Sequence, residues 1–336
     1  MSSTYSQYTF GDPEWDEINK FLLARGLPIT EDGAVNVEGM RNEMGSVVTT
    51  IMKNSLQDPG RRVSVRDHQG AVDGGTIVIR SYTPAGSDQT ETFPLMVWYH
   101  GGGFVAGELE TDDADLKLLA ASENISIVSV DYRLAPEHVF PVQINDSLAA
   151  LKWSIANAPL LRADPNKGVI VAGVSAGGNL AAQVAIHARD DPSFANIITG
   201  QLLEMPWLAE ASAYPSRFKE QLRSVEDLSS NSPMLSKDFI RKLGDLTKLD
   251  YASPRFSPFY VHSIQDLPKT FIQIAGRDPL RDEAILYGQM LKEAGVPVRT
   301  EIYPGCPHAF HYVRPSTAAA LKFRKDTAEG IRWLLQ

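Results

Sequence analysis

Two short runs of this sequence join a nucleophile to unobstructed backbone amides. Tyr99-His100-Gly101-Gly102-Gly103-Phe104 continues the apolar stretch LMVWY, and Gly173-Val174-Ser175-Ala176-Gly177-Gly178 closes the stretch VIVAGV. The second run fits G-x-S-x-G, in which a serine stands on a sharp turn between a strand and a helix. Glycines flank it because a Cβ on either side of so tight a turn would clash. The first run offers N–H groups with no side chains to obstruct them, which is what a developing oxyanion needs around it. Either run alone is an ordinary small-residue turn. Together, in this order and each after a strand, they describe attack by Ser175 on a carbonyl carbon.

A serine hydroxyl needs a base at neutral pH, and that base needs a carboxylate to orient it. With a serine elbow the chain order is Ser, then Asp or Glu, then His, the last two on loops after later strands. Residues 270–275 read as a buried strand and run into Gly276-Arg277-Asp278-Pro279-Leu280. Residues 298–303 alternate like a strand and run into Pro304-Gly305-Cys306-Pro307-His308-Ala309-Phe310. Asp278 and His308 therefore stand at the two required loop positions. Asp282 and Glu283 compete for the acid role, but Asp282 falls where the next helix begins and reads as its N-cap. His311 reads as a surface residue or a fallback base. His68, His138, His187 and His262 read as surface or packing residues, and His100 as an orienter of the glycine loop. Cys306 reads as an inert buried thiol, or as a handle through which bulky thiol reagents would displace His308.

HGGGF, the stretch DYRLAPEHVFP (131–141), GVSAGGN, GRDPLRDE and PHAFH together resemble the hormone-sensitive-lipase family of α/β-hydrolase carboxylesterases. The resemblance covers roughly residues 60–336 and departs from the family's usual pattern at Val174 and Cys306. It implies Ser175 as nucleophile, Asp278 as acid and His308 as base. It places the oxyanion hole at the amides of Gly102, Gly103 and Ala176. The implied activity is a serine carboxylesterase acting on short- to medium-chain or compact esters through an acyl-enzyme, without cofactor or metal. Dehydratases and cyclases related to this family use the same pocket for other reactions, and amide or lactone hydrolysis would use the same residues. Gibberellin receptors built on this fold lack the histidine, which this chain has at 308.

Composition bounds the remaining classes. The chain has 336 residues, 43% of them hydrophobic, enough for a large core without metal or disulfide staples. A single cysteine excludes an internal disulfide and suits a reducing, cytoplasmic setting. The formal charge of −9 disfavours nucleic acid and anionic membranes as partners. The first residues carry no basic and apolar regions of a secretory signal, and no stretch is apolar enough to span a membrane. The expected partner is a small-molecule ester, with a homodimer left open.

The elements must place these loops side by side. Strands are expected at 62–68, 75–83, 94–99, 125–130, 168–174, 198–204, 270–275 and 298–303. Helices are expected at about 111–123, 143–157, 176–189, 282–294 and 316–334. This alternation predicts an α/β-hydrolase fold, a mostly parallel sheet with helices on both faces and an antiparallel start. A helix over 12–25, capped by Asp12 with Pro13 at its first position, presents Trp15, Ile18, Phe21 and Leu22. A second run presents Met40, Met44, Val47, Val48, Ile51 and Met52, as plain core or as a deformable pocket wall. Residues 205–265 break the alternation and hold a helix near 236–244. One domain over 1–336 is expected, with a cap built from about 1–57 and about 205–265.

Overall fold

The runs LMVWY, SIVSV, VIVAGV and GQLLE are buried at every position, as strands covered on both faces must be. The computed structural model that shows this describes residues 4–85, 88, 90–194 and 197–336. Among these residues eight strands build one sheet: β1 (Val63–Val72), β2 (Gly75–Pro84), β3 (Leu95–Tyr99), β4 (Ser126–Val130), β5 (Val169–Val174), β6 (Gly200–Glu204), β7 (Lys269–Ala275) and β8 (Val298–Tyr303). Their order is β1-β2-β4-β3-β5-β6-β7-β8. β2 runs antiparallel to both β1 and β4, and from β4 to β8 all neighbours are parallel.

Alternate residues of each central strand face opposite layers. Leu95, Val97 and Tyr99 enter one hydrophobic cluster with Ile144, Leu180 and Tyr287, whereas Met96 and Trp98 enter another with Leu116, Phe323 and Ile331. The first layer holds α5 (Val142–Ala156), α6 (Ala176–Asp190) and α9 (Arg281–Glu293); the second holds α4 (Leu109–Glu123) and α11 (Ala318–Leu334). No helix among the described residues is long and apolar enough to cross a membrane.

Before the sheet come α1 (Pro13–Arg25), α2 (Val37–Asn42), a π-helical turn (Glu43–Val48) and α3 (Thr49–Ser55). Asp12 caps α1 by accepting from Glu14 N at 3.0 Å, and Gly26 ends it at φ 79°. The apolar side of α1 differs from the expected one. Its buried line is Trp15, Asn19 and Leu22, while Phe21 is 62% exposed. The stripe turns to include Asn19 because that amide donates to Gly305 O at 3.3 Å on the loop before His308. Between β6 and β7 lie α7 (Ser224–Leu228) and α8 (Lys237–Thr247), and after β8 the short α10 (Phe310–Val313).

Candidate active site

The parallel strands all end at one edge, and the chemistry-bearing loops leave from that edge. Ser175 links β5 to α6 at φ 58° and ψ −117°, a conformation that costs a residue with a Cβ about 1–3 kcal/mol. Its neighbours hold it there. Ser175 N donates to Glu204 O at 2.8 Å, and Ser175 O accepts from Trp207 N at 3.1 Å. The glycine requirement is steric: a Cβ on Gly177 would lie 1.9 Å from Tyr99 O, and one on Gly173 would lie 2.5 Å from the same atom. This close approach brings the start of α6 against the end of β3.

His308 and Asp278 meet Ser175 there. His308 Nδ1 donates to Asp278 Oδ2 at 2.6 Å, and the hydroxyl of Ser175 faces His308 Nε2 at 2.9 Å. The carboxylate fixes the Nδ1–H tautomer, so Nε2 is left free to accept a proton. Asp278 Oδ1 accepts from Leu280 N at 2.9 Å, and both residues are buried, Asp278 to 1% and His308 to 5% exposure.

The competing residues have other places. Asp282 is not the N-cap of α9, which begins after Leu280. Its carboxylate instead accepts from Arg223 N at 2.9 Å and Ser224 N at 2.8 Å, satisfying the free amides at the start of α7. Glu283 accepts from Leu208 N at 2.9 Å, and burial pushes its carboxyl well above the usual range. His311 is not at the surface. It is buried, stacked on Phe323 at 4.4 Å, and burial drives its imidazole well below the usual value. Cys306 is fully buried and burial pushes its thiol up, so the inert reading fits the environment.

Gly102 and Gly103 adopt φ 117° and 63°. Their N–H groups have no acceptor among the described residues, whereas Gly102 O accepts from Val105 N and Ala106 N. A Cβ at Gly102 would meet Ala106 O at 2.1 Å. His100 is buried beside them, stacked on Tyr132 at 4.2 Å, and its Nδ1 donates to Gly101 O at 2.8 Å. Burial lowers its pKa to about 4, so the ring is neutral and structural at ordinary pH.

A cavity of about 160 Å³ opens over Ser175, His308 and Gly101–Gly103. One wall comes from the N-terminal segment, with Leu22, Met40, Met44, Val48 and Ile51. The other comes from the segment between β6 and β7, with Trp207, Leu235, Phe239, Ile240 and Leu243. Met40 and Met44 thus line the cavity, while Met52 sits in the core behind it.

A family model described as alpha/beta hydrolase fold matches residues 96–312. The chain belongs to that family. Its relatives place this alpha/beta hydrolase in the hormone-sensitive-lipase-like group. It is 33% identical over 268 residues to versiconal hemiacetal acetate esterase of Dothistroma septosporum, covering 80% of each chain. Carboxylesterase NlhH of Mycobacterium tuberculosis is 34% identical over 322 residues, 93% of this chain and 94% of that one. The crystal structure of vibralactone cyclase matches with a TM-score of 0.90 at 38% identity, covering 98% of this chain and 96% of that one.

Three supporting residues of this alpha/beta hydrolase escaped the sequence reading. Asn179 donates to Trp207 O and Phe256 O at 2.7 Å each, pinning the segment after β6 to α6. A polar side chain among the small and apolar residues of AGGNLAA was the available signal. Arg41 donates to Val105 O and Ala135 O at 2.9 Å each and pairs with Glu137, fastening the N-terminal segment to the glycine loop. Asp112 joins Trp98 to Tyr312, and no local pattern marks it.

Proposed function

We propose that Ser175, His308 and Asp278 hydrolyse a carboxylic ester through an acyl-enzyme. The observation that carries this reading is the continuous hydrogen-bonded chain from Ser175 Oγ through His308 to Asp278, at 2.9 and 2.6 Å. His308 Nε2 takes the hydroxyl proton as Ser175 Oγ bonds to the carbonyl carbon. Asp278 holds the ring and stabilises the imidazolium. The negative oxygen turns to the N–H groups of Gly102, Gly103 and Ala176, each such donor contributing about 10²–10³ in rate. Collapse expels the alcohol, which leaves with the proton from His308. Water then opens the acyl-enzyme, with His308 again as base and then as acid. The named relatives on a shared fold make the chain a carboxylic ester hydrolase; the residue roles and the substrate size are our reading.

The N-terminal segment and the segment after β6 act as a cap that excludes water and limits the enclosed arm of the ester. An aliphatic and aromatic wall around about 160 Å³ suits compact or short- to medium-chain esters. The buried single cysteine suits a reducing compartment such as the cytoplasm. Rates across a p-nitrophenyl ester chain-length series test the reading. A maximum at short acyl length that vanishes in Ser175→Ala supports it, and turnover surviving in that variant contradicts it.

The likeness to a cyclase favours one second reading, in which a nucleophile within the substrate replaces water. Turnover in ¹⁸O-labelled water separates the two, because hydrolysis places one label in the released acid and cyclisation places none.

A further inference from the structure

The cavity wall is nearly stripped of free polar side chains. The indole N–H of Trp207 is given to Ala209 O at 2.8 Å, and the hydroxyl of Tyr312 to Asp112 at 2.5 Å. Apart from Ser175 and His308, the charged or hydrogen-bonding side chains that remain among the described residues of the lining are Arg25 and Glu43, paired at 2.7 Å. Arg25 closes the last turn of α1, and Glu43 opens the π-helical turn. Their side chains are 50% and 31% exposed while still lining the cavity, which places them where it opens to solvent.

An ion pair this exposed contributes only about 0–1 kcal/mol to the fold. Exchanging part of it for a ligand contact therefore costs little. The pair presents one charged donor and one charged acceptor side by side. An anion at this rim meets the Glu43 carboxylate, and a cation meets the Arg25 guanidinium. A hydroxyl group, being both donor and acceptor, satisfies the two together. Deeper in the cavity the same hydroxyl would lose its water without compensation.

We propose that Arg25 and Glu43 recognise a hydroxyl on the outer arm of the ester, with the arm beside Ser175 bare hydrocarbon. Glu43 accepts from the hydroxyl and Arg25 donates to its oxygen. The substrate class is then a compact acyl ester of an alcohol that carries a further hydroxyl. This inference rests on the ester hydrolysis proposed above.

The test compares propyl to octyl acetates with the matching ω-hydroxyalkyl acetates. The readout is the ratio of kcat/KM for each hydroxylated ester over its plain partner, in the wild type, Arg25→Met, Glu43→Met and Glu43→Gln. The wild type should prefer the hydroxylated ester about tenfold at the chain length that reaches the rim, mainly through KM. Both methionine variants should lose that preference, and Glu43→Gln, which keeps an acceptor oxygen, should retain most of it. A variant that is merely loosened loses rate on both esters and keeps the ratio. Wild-type hydrolysis of the plain acetates with no hydroxyl preference at any length overturns the rim assignment alone. An unchanged preference in both methionine variants overturns it as well. Failure of the wild type to turn over any of these acetates or any member of the p-nitrophenyl ester series overturns the ester reading, and the rim assignment falls with it.

Discussion

Asp112 Oδ1 accepts from Tyr312 Oη at 2.5 Å, while its other oxygen accepts from Trp98 Nε1 at 2.7 Å. One buried carboxylate thus ties β3, which runs into the glycine loop, to α10, which follows His308. Burial raises its pKa to about 6, against the lowering effect of the Tyr312 and Trp98 hydrogen bonds. The folded protein therefore binds this proton more tightly than the unfolded chain. Its ionisation penalty is absent below the ordinary carboxylate range and fully developed above about pH 6. Asp112→Asn removes the ionisation, and an asparagine can still accept from Trp98 and donate to Tyr312. The Tm of the variant relative to the wild type should rise between about pH 4 and about pH 7. A constant or falling difference would show that Asp112 titrates elsewhere.

The glycine loop tolerates no side chain at its centre. A Cβ at residue 102 would overlap Ala106 O at 2.1 Å, and the backbone sits at φ 117°. Gly102→Ala must shift the loop and the N–H groups assigned to the oxyanion. The expected loss in kcat is about 10²-fold or more with little change in KM. Wild-type kcat in a folded Gly102→Ala protein would remove these amides from the mechanism.

His308 and His311 separate cleanly by environment. His308→Ala should abolish ester turnover while keeping the melting temperature near that of the wild type. His311 stacks on Phe323 in the core, so His311→Ala should chiefly lower Tm, with activity surviving below that temperature. The reverse pattern, measured as residual kcat beside a thermal melt for each variant, would exchange their roles.

The N-terminal segment grips both loops that carry His308 and Asp278. Trp15 packs edge-on against Phe310 with ring centres 5.7 Å apart, Asp16 pairs with Arg277 at 3.2 Å, and Gly305 N donates to Tyr8 O at 2.9 Å. Leu22, which it also contributes, lines the cavity. Deleting residues 1–27 should leave a folded sheet domain with weakened hydrolysis and a broadened acyl-length preference. Displacement of reacting groups by about 1 Å can alone cost about 10²-fold. A folded truncation with the parent's kcat/KM across the ester series would show that the helix does not serve the site.

What the sequence made legible was whatever a local pattern dictates. Eight strands formed within a few residues of their expected bounds. Central ones such as LMVWY and VIVAGV were legible because strands buried on both faces are apolar, and β8 because its residues alternate. Asp12, Pro13 and Gly26 marked α1 for the same local reason. Long-range partners were not legible. Asp282 reads as a cap of its own helix, yet it serves the start of α7, fifty-eight residues before it in the chain. His311 reads as surface, but α10 turns it against Phe323. Phe21 reads as buried because apolar spacing cannot reveal that Asn19 takes the inward position to reach Gly305. Residues 205–265 offered no period to follow, since much of that segment is single turns held by buried carboxylates and by Asn179.

The central claim is that Ser175 is the nucleophile of an ester-hydrolysing acyl-enzyme. Its most direct measurement is active-site labelling of the wild type with a fluorophosphonate, located by peptide mass spectrometry and matched to ester turnover in Ser175→Ala. The account predicts one adduct per chain, on Ser175, with activity lost in step with labelling. It predicts a turnover in Ser175→Ala lower by about 10⁶-fold. An adduct on another residue, or a Ser175→Ala protein that keeps more than about a thousandth of the parent rate, would contradict it.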